Sequence, residues 1–317
     1  MKDNANEVIE QLLGNKKLNL RRGNSTELAY DKIPFGIPAL DKLTGGGIAK
    51  KRITLLYGPP NVGKSFIASQ IAVNAQHNGD LVGWVDTEQS WDAAWMQKCG
   101  LDVENILVSQ PTTGEEAFET VREMMVNGVG LVVLDSMAGL VPTAVYEEEF
   151  GYNPMAWEAR FVNSSLPKLL PHLKKGSALV LINQIRSSLG PVSIDAMPGG
   201  LAQTFFAHSL LQVKRDGWIE EPKGTKVGFD MDVRMRKTKI GGEHWNNVKV
   251  PFRIEGGIDV VESFIREALT QDLIQQRGPW YMYGEEKIQG MNGLKHFFIE
   301  NPSRFEELKL RVTLRLH

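Results

Sequence analysis

Ile53-Thr-Leu-Leu-Tyr57 runs directly into Gly58-Pro-Pro-Asn-Val-Gly63-Lys64-Ser65, and this stretch predicts the fold of the chain. The second half matches G-x-x-x-x-G-K-[ST] at every position, between an apolar strand-like run and a helical pattern. That context distinguishes a phosphate-binding loop from a glycine-rich turn that matches by chance. The residues that we predict to bind a nucleoside triphosphate are Gly58, Pro59, Pro60, Asn61, Val62, Gly63, Lys64 and Ser65.

Each part of this loop has a chemical reason. Glycines let backbone N–H groups wrap around phosphates, and the start of the following helix adds a favourable dipole. Lys64 would neutralise the β- and γ-phosphates, and Ser65 would offer a hydroxyl ligand to Mg²⁺. Asp135 emerges where the apolar run Leu131–Leu134 stops. We predict that it is the second metal ligand, although an Asp there is also a common helix cap.

Hydrolysis of a triphosphate needs a group that orients or deprotonates water. Val85-Asp86-Thr87-Glu88 places two acids just after another apolar run. Glu88 is the candidate base, although an acid in a solvated loop has the same sequence signature.

Strand-like and helix-like segments alternate after the loop. Apolar runs at 81–85, 106–108, 131–134 and 178–182 read as strands, with helical patterns at 66–76, 91–99, 115–126 and 155–173 between them. Continuously apolar strands are typical of a mainly parallel sheet covered on both faces. Beyond Gly190, residues 209–260 read as hairpins, and helical patterns follow at 262–275 and 294–299. We therefore predict an α/β protein with an arm at 1–34, a core at 35–260 and a small domain at 261–317.

Composition excludes several classes of protein. The 317 residues are 42% hydrophobic and 23% charged, which argues against a largely disordered chain. The net charge of −2 argues against a broadly cationic nucleic-acid binder. The single Cys99 cannot form an intrachain disulfide, and neither a signal peptide nor a membrane-length apolar run is found. We expect a soluble, intracellular protein.

The net charge hides an uneven distribution. Residues 1–57 carry 10 basic and 6 acidic side chains, residues 58–160 carry 4 and 15, and residues 161–317 carry 22 and 17. These segments therefore have net charges of +4, −11 and +5. Such asymmetry is compatible with head-to-tail self-association, although solvated surface charge explains it equally well.

Taken in order, these motifs resemble those of the RecA family of homologous-recombination ATPases, from about Ile33 to about Leu310. Further markers of the resemblance are Val108-Ser-Gln-Pro-Thr-Thr-Gly-Glu, Val133-Leu-Asp-Ser, Ile182-Asn-Gln-Ile-Arg186, Lys237-Thr-Lys239-Ile and Gly278-Pro-Trp-Tyr-Met-Tyr-Gly. The resemblance implies a RecA-like P-loop ATPase core with a mainly parallel sheet. It also implies a short N-terminal oligomerisation arm and a small α+β C-terminal domain.

The resemblance assigns roles to further residues. Glu88 would activate water, and Gln184 would sense the γ-phosphate. Asp92 and Trp95 fall where the family contacts adenine, and Trp95, which replaces a usual Tyr, keeps an aromatic face. Without the family, a residue such as Trp95 would also fit a core-facing helix position.

Lys237 and Lys239 match residues that reach the ATP of a neighbouring subunit. Two cations spaced i, i+2 share one side of a strand, so both could point at one anion. In that role they would stabilise transition-state charge, as an arginine finger does. A solvated strand face is the alternative.

Two segments, Glu147–Arg160 and Ile185–Gly200, correspond to the family's DNA-binding loops. Cations there would contact phosphates, apolar side chains would wedge between bases, and glycines would allow close backbone approach. The residues implied in DNA binding are Met155, Arg160, Asn163, Arg186, Leu189, Gly199 and Gly200.

The resemblance implies a DNA-dependent ATPase that uses ATP and Mg²⁺, forms filaments on single-stranded DNA and catalyses homologous pairing and strand exchange. Implied partners are single- and double-stranded DNA, further copies of the chain in a head-to-tail helix, and single-strand-binding or loader proteins. A helicase-like ring motor and a DNA-independent signalling ATPase are the alternatives. A short second loop, a short arm and the absence of an acidic tail fit a divergent or phage-encoded member in the bacterial cytoplasm.

Overall fold

The structure is a computed structural model that describes residues 2–18, 20–146, 155–173, 176–187, 195–220 and 224–316. Its contacts divide the chain into two compact units, Met1–Asp31 and Lys32–His317. Among the described residues, no helix has both the length and the apolar content needed to cross a membrane.

The helices, in chain order, are α1 (Lys2–Gly14), α2 (Pro38–Thr44), α3 (Lys64–His77), α4 (Ala93–Lys98), α5 (Gly114–Val126), α6 (Thr143–Tyr146), α7 (Met155–Leu173), α8 (Ala202–Phe206), α9 (Val260–Thr270), α10 (Gly290–Glu300) and α11 (Pro302–Thr313).

The strands are β1 (Lys32–Ile33), β2 (Ile48–Ala49), β3 (Ile53–Gly58), β4 (Val82–Asp86), β5 (Ile106–Ser109), β6 (Leu131–Asp135), β7 (Ala178–Gln184), β8 (Arg186–Ser187), β9 (Asp195–Ala196), β10 (Ser209–Glu220), β11 (Lys226–Thr238), β12 (Asn247–Arg253), β13 (Gly257–Ile258), β14 (Gln275–Arg277), β15 (Trp280–Tyr283) and β16 (Glu286–Gln289).

The first unit contains α1, whose apolar side chains Val8, Ile9 and Leu12 are exposed. An ion pair between Arg22 and Glu10 joins the following segment to this helix. The apolar side chains recur at helical spacing, so α1 has one apolar face.

Nine strands form the large sheet of the second unit, in the order β13-β12-β11-β10-β3-β7-β6-β4-β5. The strands from β10 to β5 in this order run parallel to one another. Strands β11, β12 and β13 extend the sheet with antiparallel pairs. The predicted α/β fold with a mainly parallel sheet is confirmed.

Strand β3 shows why the central strands are apolar throughout. Leu56 belongs to an apolar cluster with residues of α2 and α3, whereas Ile53 and Leu55 belong to a second cluster with residues of α5 and α7. Successive side chains thus enter different layers, and each fully buried Leu or Ile contributes about 1.5–3 kcal/mol. The strand ends at the phosphate-loop residue Gly58.

Strand β5 does not meet the expectation of a doubly covered strand. Leu107 and Val108 are exposed, because β5 is the last strand of the sheet. An apolar run therefore identified the strand correctly, but not its position at the edge.

The C-terminal segment builds a separate apolar cluster. Helices α9, α10 and α11 pack with the antiparallel sheet β14-β15-β16 around buried residues such as Tyr283 and Phe298. The helix predicted at 262–275 ends at Thr270, and Gln275 instead begins β14. Helix α11 is absent from the prediction, although its two buried side chains, Leu308 and Val312, are four residues apart, as on one face of a helix.

Candidate nucleotide-binding and catalytic site

The phosphate loop connects β3 to α3, and two of its glycines are required by close contacts. A Cβ at Gly58 would lie 2.0 Å from the Val213 carbonyl oxygen, and one at Gly63 would lie 2.5 Å from the Met231 sulfur. Gly63 also has a φ of +91°, in the left-handed region that favours glycine. The helix begins at the next residue, so its free N–H groups face the loop.

Lys64 lies inside this loop. Its Nζ donates hydrogen bonds to the carbonyl oxygens of Pro59 (2.7 Å) and Gly58 (3.2 Å). Burial lowers the pKa of the ammonium group, while the nearby carboxylates of Asp135 and Glu88 act in the opposite direction. The cation is thus held within the curve of the loop, the position from which the P-loop lysine reaches phosphates.

Asp135 ends β6 and accepts a hydrogen bond from the Ser65 hydroxyl. Burial is the main cause that raises its pKa, to about 7; Ser65 and Lys64 oppose this rise, and repulsion from Glu88 and Asp86 contributes to it. A cation at this point would relieve the crowding of carboxylates.

Ser65 and Asp135 therefore offer two adjacent oxygen ligands that fit Mg²⁺. Within the described ranges, no group of three His, Cys, Asp or Glu side chains converges on a metal position. This donor set suits an ion that shares its coordination with phosphate oxygens and water, as Mg²⁺ usually does.

Glu88 and Gln184, which are 96 residues apart in the chain, meet beside the phosphate loop. The Gln184 amide donates to Glu88 Oε1 at 2.6 Å, and the Ser136 hydroxyl donates to the same oxygen at 2.5 Å. Two side chains from the ends of β6 and β7 thus fix the orientation of the candidate base. The pair lines the same cavity as Lys64 and Asp135.

Asp86 and Thr87 position the segment that carries Glu88, a role that sequence reasoning missed. Asp86 is buried and accepts hydrogen bonds from the Trp91 backbone N–H (2.9 Å) and the Gln110 amide (3.0 Å). The Thr87 hydroxyl donates to the Ser136 carbonyl oxygen at 2.6 Å and accepts from the Ser136 N–H at 2.9 Å. The sequence feature that could have indicated this role is the position of Asp86 directly after an apolar run.

Aromatic side chains line the cavity opposite these polar groups. The cavity measures about 320 Å³, and its aromatic wall consists of Phe66, Phe229 and Phe252. The rings of Phe229 and Phe252 stack 4.8 Å apart, and Phe66 meets Phe252 edge-on at 4.9 Å. None of the three was predicted as a site residue, because apolar residues on strands and helices are usually part of the hydrophobic core.

Trp95 continues this wall on its outer side, 5.8 Å from Phe66. The carboxylate of Asp92 caps helix α4 by accepting a hydrogen bond from the Trp95 N–H at 3.0 Å. The two residues predicted to contact adenine therefore lie together, next to the cavity. The contact with adenine itself stays a prediction.

Lys237 is turned by a bulge in β11. Leu211 of β10 pairs with Met235 of β11, and the preceding residue, Leu210, pairs with Lys237. Arg236 is therefore the additional residue of the bulge. The bulge directs Lys237 to the face opposite Met235, where its Nζ donates to the carbonyl oxygens of Thr204 (2.5 Å) and Phe205 (3.1 Å).

Lys239 lies just beyond the end of β11, so the argument that both lysines share one side of a strand is wrong. Both nevertheless approach His208. Burial, together with the charges of Arg52, Lys239 and Lys237, lowers the pKa of this imidazole to about 4. The tertiary structure, rather than strand alternation, brings the two cations to one place.

The two lysines lie at the opposite end of β3 from the phosphate loop. The His208 N–H donates to the carbonyl oxygen of Ile53, the first residue of β3, and the Lys239 N–H donates to His208. A strand of this length spans about 17 Å. We call the end of the sheet with Gly58, Asp135 and Gln184 the phosphate edge, and the end with Ile53, His208 and the two lysines the lysine edge.

The predicted DNA-binding segments meet where the structure describes them. Cβ atoms at Gly199 and Gly200 would lie 3.0 and 3.2 Å from Val162 and Ala159 of α7. Arg160 and Asn163 are exposed on this helix.

The other residues predicted to bind DNA are Met155, Arg186 and Leu189, and their roles stay predictions. Met155 begins α7, and Arg186 lies in β8, which pairs with β9. Leu189 and residues 147–154 lie outside the described residues. The predictions for them stay as stated.

A buried amide pair connects the second segment to the phosphate edge. Asn183 precedes Gln184 and donates to the Pro198 carbonyl oxygen (2.9 Å) and to the Gln203 side chain (2.8 Å). Gln203 in turn donates to the Pro198 carbonyl oxygen at 2.6 Å. The chain on either side of this segment is therefore fixed next to the candidate γ-phosphate sensor.

Comparison with known proteins matches this chain to one family. The family model described as RecA N-terminal domain matches residues 2–259, and the RecA C-terminal domain matches residues 263–317. The chain belongs to the RecA family. It is 33% identical to Protein RecA of Thermus aquaticus, over 99% of this chain and 93% of the relative. Protein RecA of Rhodopirellula baltica is 34% identical, over 92% and 78%, and that of Aquifex pyrophilus is 34% identical, over 89% and 82%.

Membership of the RecA family makes the chain a RecA-type recombinase and a DNA-dependent ATPase. The resemblance drawn from the sequence motifs is confirmed. The two matches together span nearly the whole chain, so neither a ring motor nor a signalling ATPase is favoured.

Proposed function

We propose that copies of this chain assemble head to tail on single-stranded DNA, with ATP and Mg²⁺ bound between the phosphate edge of one copy and the lysine edge of the next. The separation of the two edges carries this proposal. Lys237 and Lys239 are at the far end of β3 from Lys64, so they cannot reach the phosphate loop of their own chain without rebuilding the sheet. A second copy removes this obstacle.

The residues of the phosphate edge then take separate roles. The loop and Lys64 bind the phosphates, and Ser65 and Asp135 hold Mg²⁺, which offsets charge on the phosphate oxygens. Glu88 accepts a proton from the attacking water, held in position by Ser136 and Gln184. Asp92 and Trp95 bind the adenine.

The residues of the lysine edge act across the interface. Lys237 and Lys239 of the neighbouring copy supply positive charge where negative charge develops on the γ-phosphate. In the single chain, Lys237 is bonded to the end of α8, which follows the second DNA-binding segment. If Lys237 bound a neighbour's phosphates, it would release its contact with α8, and ATP binding would thus be coupled to DNA binding. DNA binding would then favour ATP binding to the same extent.

DNA is proposed to contact the surface formed by α7 and the second segment. Arg160, Asn163 and Arg186 contact the backbone, and Met155 and Leu189 insert between bases. The glycines at 199 and 200 allow close approach. Double-stranded DNA would contact the same surface during homologous pairing, and a loader protein is a further partner implied by the resemblance.

We also propose a division of labour along the chain. Residues 1–34 act as an oligomerisation arm, consistent with the exposed apolar face of α1. Residues 35–260 form the ATPase core, and residues 261–317 form a small C-terminal domain with its own apolar cluster.

Electron microscopy of the protein with single-stranded DNA and a slowly hydrolysed ATP analogue tests this proposal. We expect helical filaments that require both the DNA and the nucleotide. Closed rings, or dispersed particles that hydrolyse ATP at the same rate with and without DNA, would contradict it. A Lys64→Ala sample serves as the nucleotide-deficient control.

A further inference from the structure

A cluster of six charged side chains lies beside the nucleotide cavity, outside every role described so far. Three cations and three anions take part, so the cluster is neutral. Its members, which we call the ion cluster, are Asp230, Arg253, Asp259, Glu262, Arg266 and Lys295.

Glu262 is the centre of the cluster and is only 3% exposed. Its Oε1 accepts a hydrogen bond from Arg266 at 2.6 Å, and its Oε2 accepts one from Arg253 and lies 3.4 Å from Lys295. Arg266 also donates to Asp230 at 2.7 Å. Each charge therefore depends on partners from other elements for its stability in a buried site.

Asp259 joins the cluster to the start of helix α9. It caps the helix by accepting the Glu262 N–H at 3.0 Å, and it also pairs with Arg253 at 3.2 Å and with Lys295. Burial alone would raise the pKa of Asp259, but the bonds from Lys295, the cap and Arg253 keep it below its usual value. The carboxylate thus stays ionised.

Two members of the cluster are chain neighbours of the aromatic wall. Asp230 follows Phe229 on β11, and Arg253 follows Phe252 on β12. The two phenylalanines lie opposite each other across the strand pair and stack. Successive side chains of a strand point to opposite faces. Asp230 and Arg253 therefore lie on one face of the β11–β12 pair, and the two phenylalanine rings lie on the other.

The wall extends from these strands to the predicted adenine site. Phe252 packs against Phe66, and Phe66 packs against Trp95. The turn after Arg253 also contacts Phe66, since a Cβ at Gly257 would lie 3.2 Å from that ring. A continuous series of packed groups thus runs from the ion cluster to the residue predicted to stack on the base.

We propose that the ion cluster is a positioning device for the base and ribose half of the nucleotide site, with Arg253 as its key positioning residue. The cluster holds Phe229 and Phe252 against Phe66 and so sets the width of the apolar slot that receives the nucleoside. We expect a smaller effect on the phosphate loop, because that loop is carried by β3 and α3 and meets the β11–β12 pair where Gly63 lies beside Met231 and Phe252. The inference rests on the proposed binding of ATP at this site.

The test compares two ligands that differ only in the nucleoside. ATP occupies both halves of the site, whereas inorganic triphosphate occupies the phosphate loop alone. Arg253→Met removes the cation and keeps much of the volume, and its binding of each ligand is measured by calorimetry with Mg²⁺ present. We expect ATP affinity to fall about 10-fold and triphosphate affinity to stay within about twofold.

Two further variants separate positioning from general destabilisation. Arg253→Lys keeps the charge and should recover part of the ATP affinity. Arg304→Met removes the exposed ion pair with Glu307 in the same C-terminal segment and should alter neither ligand. If Arg253→Met does not fold, Glu262→Gln takes its place, and retained triphosphate binding reports that its phosphate loop is intact.

Equal loss of both ligands in the Arg253 variant, or no loss of either, would overturn the inference. So would equal affinity of the unmodified protein for ATP and triphosphate, because the aromatic slot would then add nothing. These measurements need no DNA. Filament formation fails independently if the recombinase assembly is wrong, so the two proposals are tested separately.

Discussion

The phosphate edge and the lysine edge belong to the same sheet but differ in how complete they are. At the phosphate edge, Lys64 and Asp135 are each 6% exposed and are held by neighbours within the chain. At the lysine edge, Leu201 and Phe205 beside Lys237 are each 70% exposed. The binding groups and the candidate base Glu88 are thus held in place within one chain, whereas the two lysines proposed to stabilise transition-state charge would act on a neighbouring copy. If the proposed assembly is right, one chain binds the nucleotide and full hydrolytic activity requires a neighbouring copy.

The largest effect is expected at the phosphate edge. Lys64→Ala removes the buried cation of the loop, so ATP turnover should fall by at least about 10²–10³-fold and nucleotide binding should weaken strongly. Phosphate release and binding of a fluorescent nucleotide measure the two effects. Lys249→Ala, which changes an exposed lysine paired with Asp216, is the control and should retain turnover. Unchanged turnover in the Lys64 variant would refute the site.

Glu88→Gln should separate binding from hydrolysis at the same edge. The amide keeps the shape of the side chain but cannot accept the proton from water, so hydrolysis should fall about 10²–10⁴-fold. Nucleotide and DNA binding should stay within about twofold, since the phosphate loop is unchanged. Loss of nucleotide binding would instead assign Glu88 a structural role. Glu119→Gln, on the exposed face of α5, is the matched control.

Mixing two inactive variants tests whether the edges act across an interface. Lys239→Ala should keep nucleotide binding but lose about 10²-fold in DNA-stimulated turnover. In an equal mixture with Glu88→Gln, which should keep nucleotide and DNA binding, about a quarter of head-to-tail interfaces would combine an intact Glu88 with an intact lysine edge. Activity should therefore recover toward that fraction. A mixture no more active than its components would show that Lys239 does not act on a neighbour.

The smallest effect concerns the pKa of His208. Its folded-state pKa is about 4, below the ordinary 6.5, so its contribution to stability is present above pH 6.5 and is lost as the pH falls toward 4. Lys239→Met removes one repelling charge and should raise this pKa, which proton NMR of the imidazole measures. Lys249→Met should leave it unchanged. A lack of response to Lys239→Met would place that charge away from the imidazole in solution.

The same measurement sharpens the comparison of the edges. In filaments loaded with a slowly hydrolysed ATP analogue, the phosphates of a neighbour would offset the charges of Lys237 and Lys239. The pKa of His208 should then rise relative to the free chain. An unchanged value in filaments that have assembled would indicate that the lysine edge remains away from the nucleotide.

Short-range signals were sufficient for much of this protein. The loop motif at 58–65, the acid after an apolar run at Asp135 and the strand–helix alternation each depend on neighbouring residues, and local propensity and periodicity encode such features. They predicted the α/β fold and the phosphate site. Helix α11 was missed although Leu308 and Val312 have helical spacing, and periodicity could not show that β5 is an edge strand.

Long-range packing supplied the rest. The contact of Glu88 with Gln184 and the ion pair of Asp230 with Arg266 join segments far apart in the chain. The bulge at Arg236 reverses the direction that strand alternation predicts for Lys237. Such features depend on the register and order of strands in the folded sheet. A local sequence motif therefore predicts which reaction a site can support, but three-dimensional packing determines which side chains meet there.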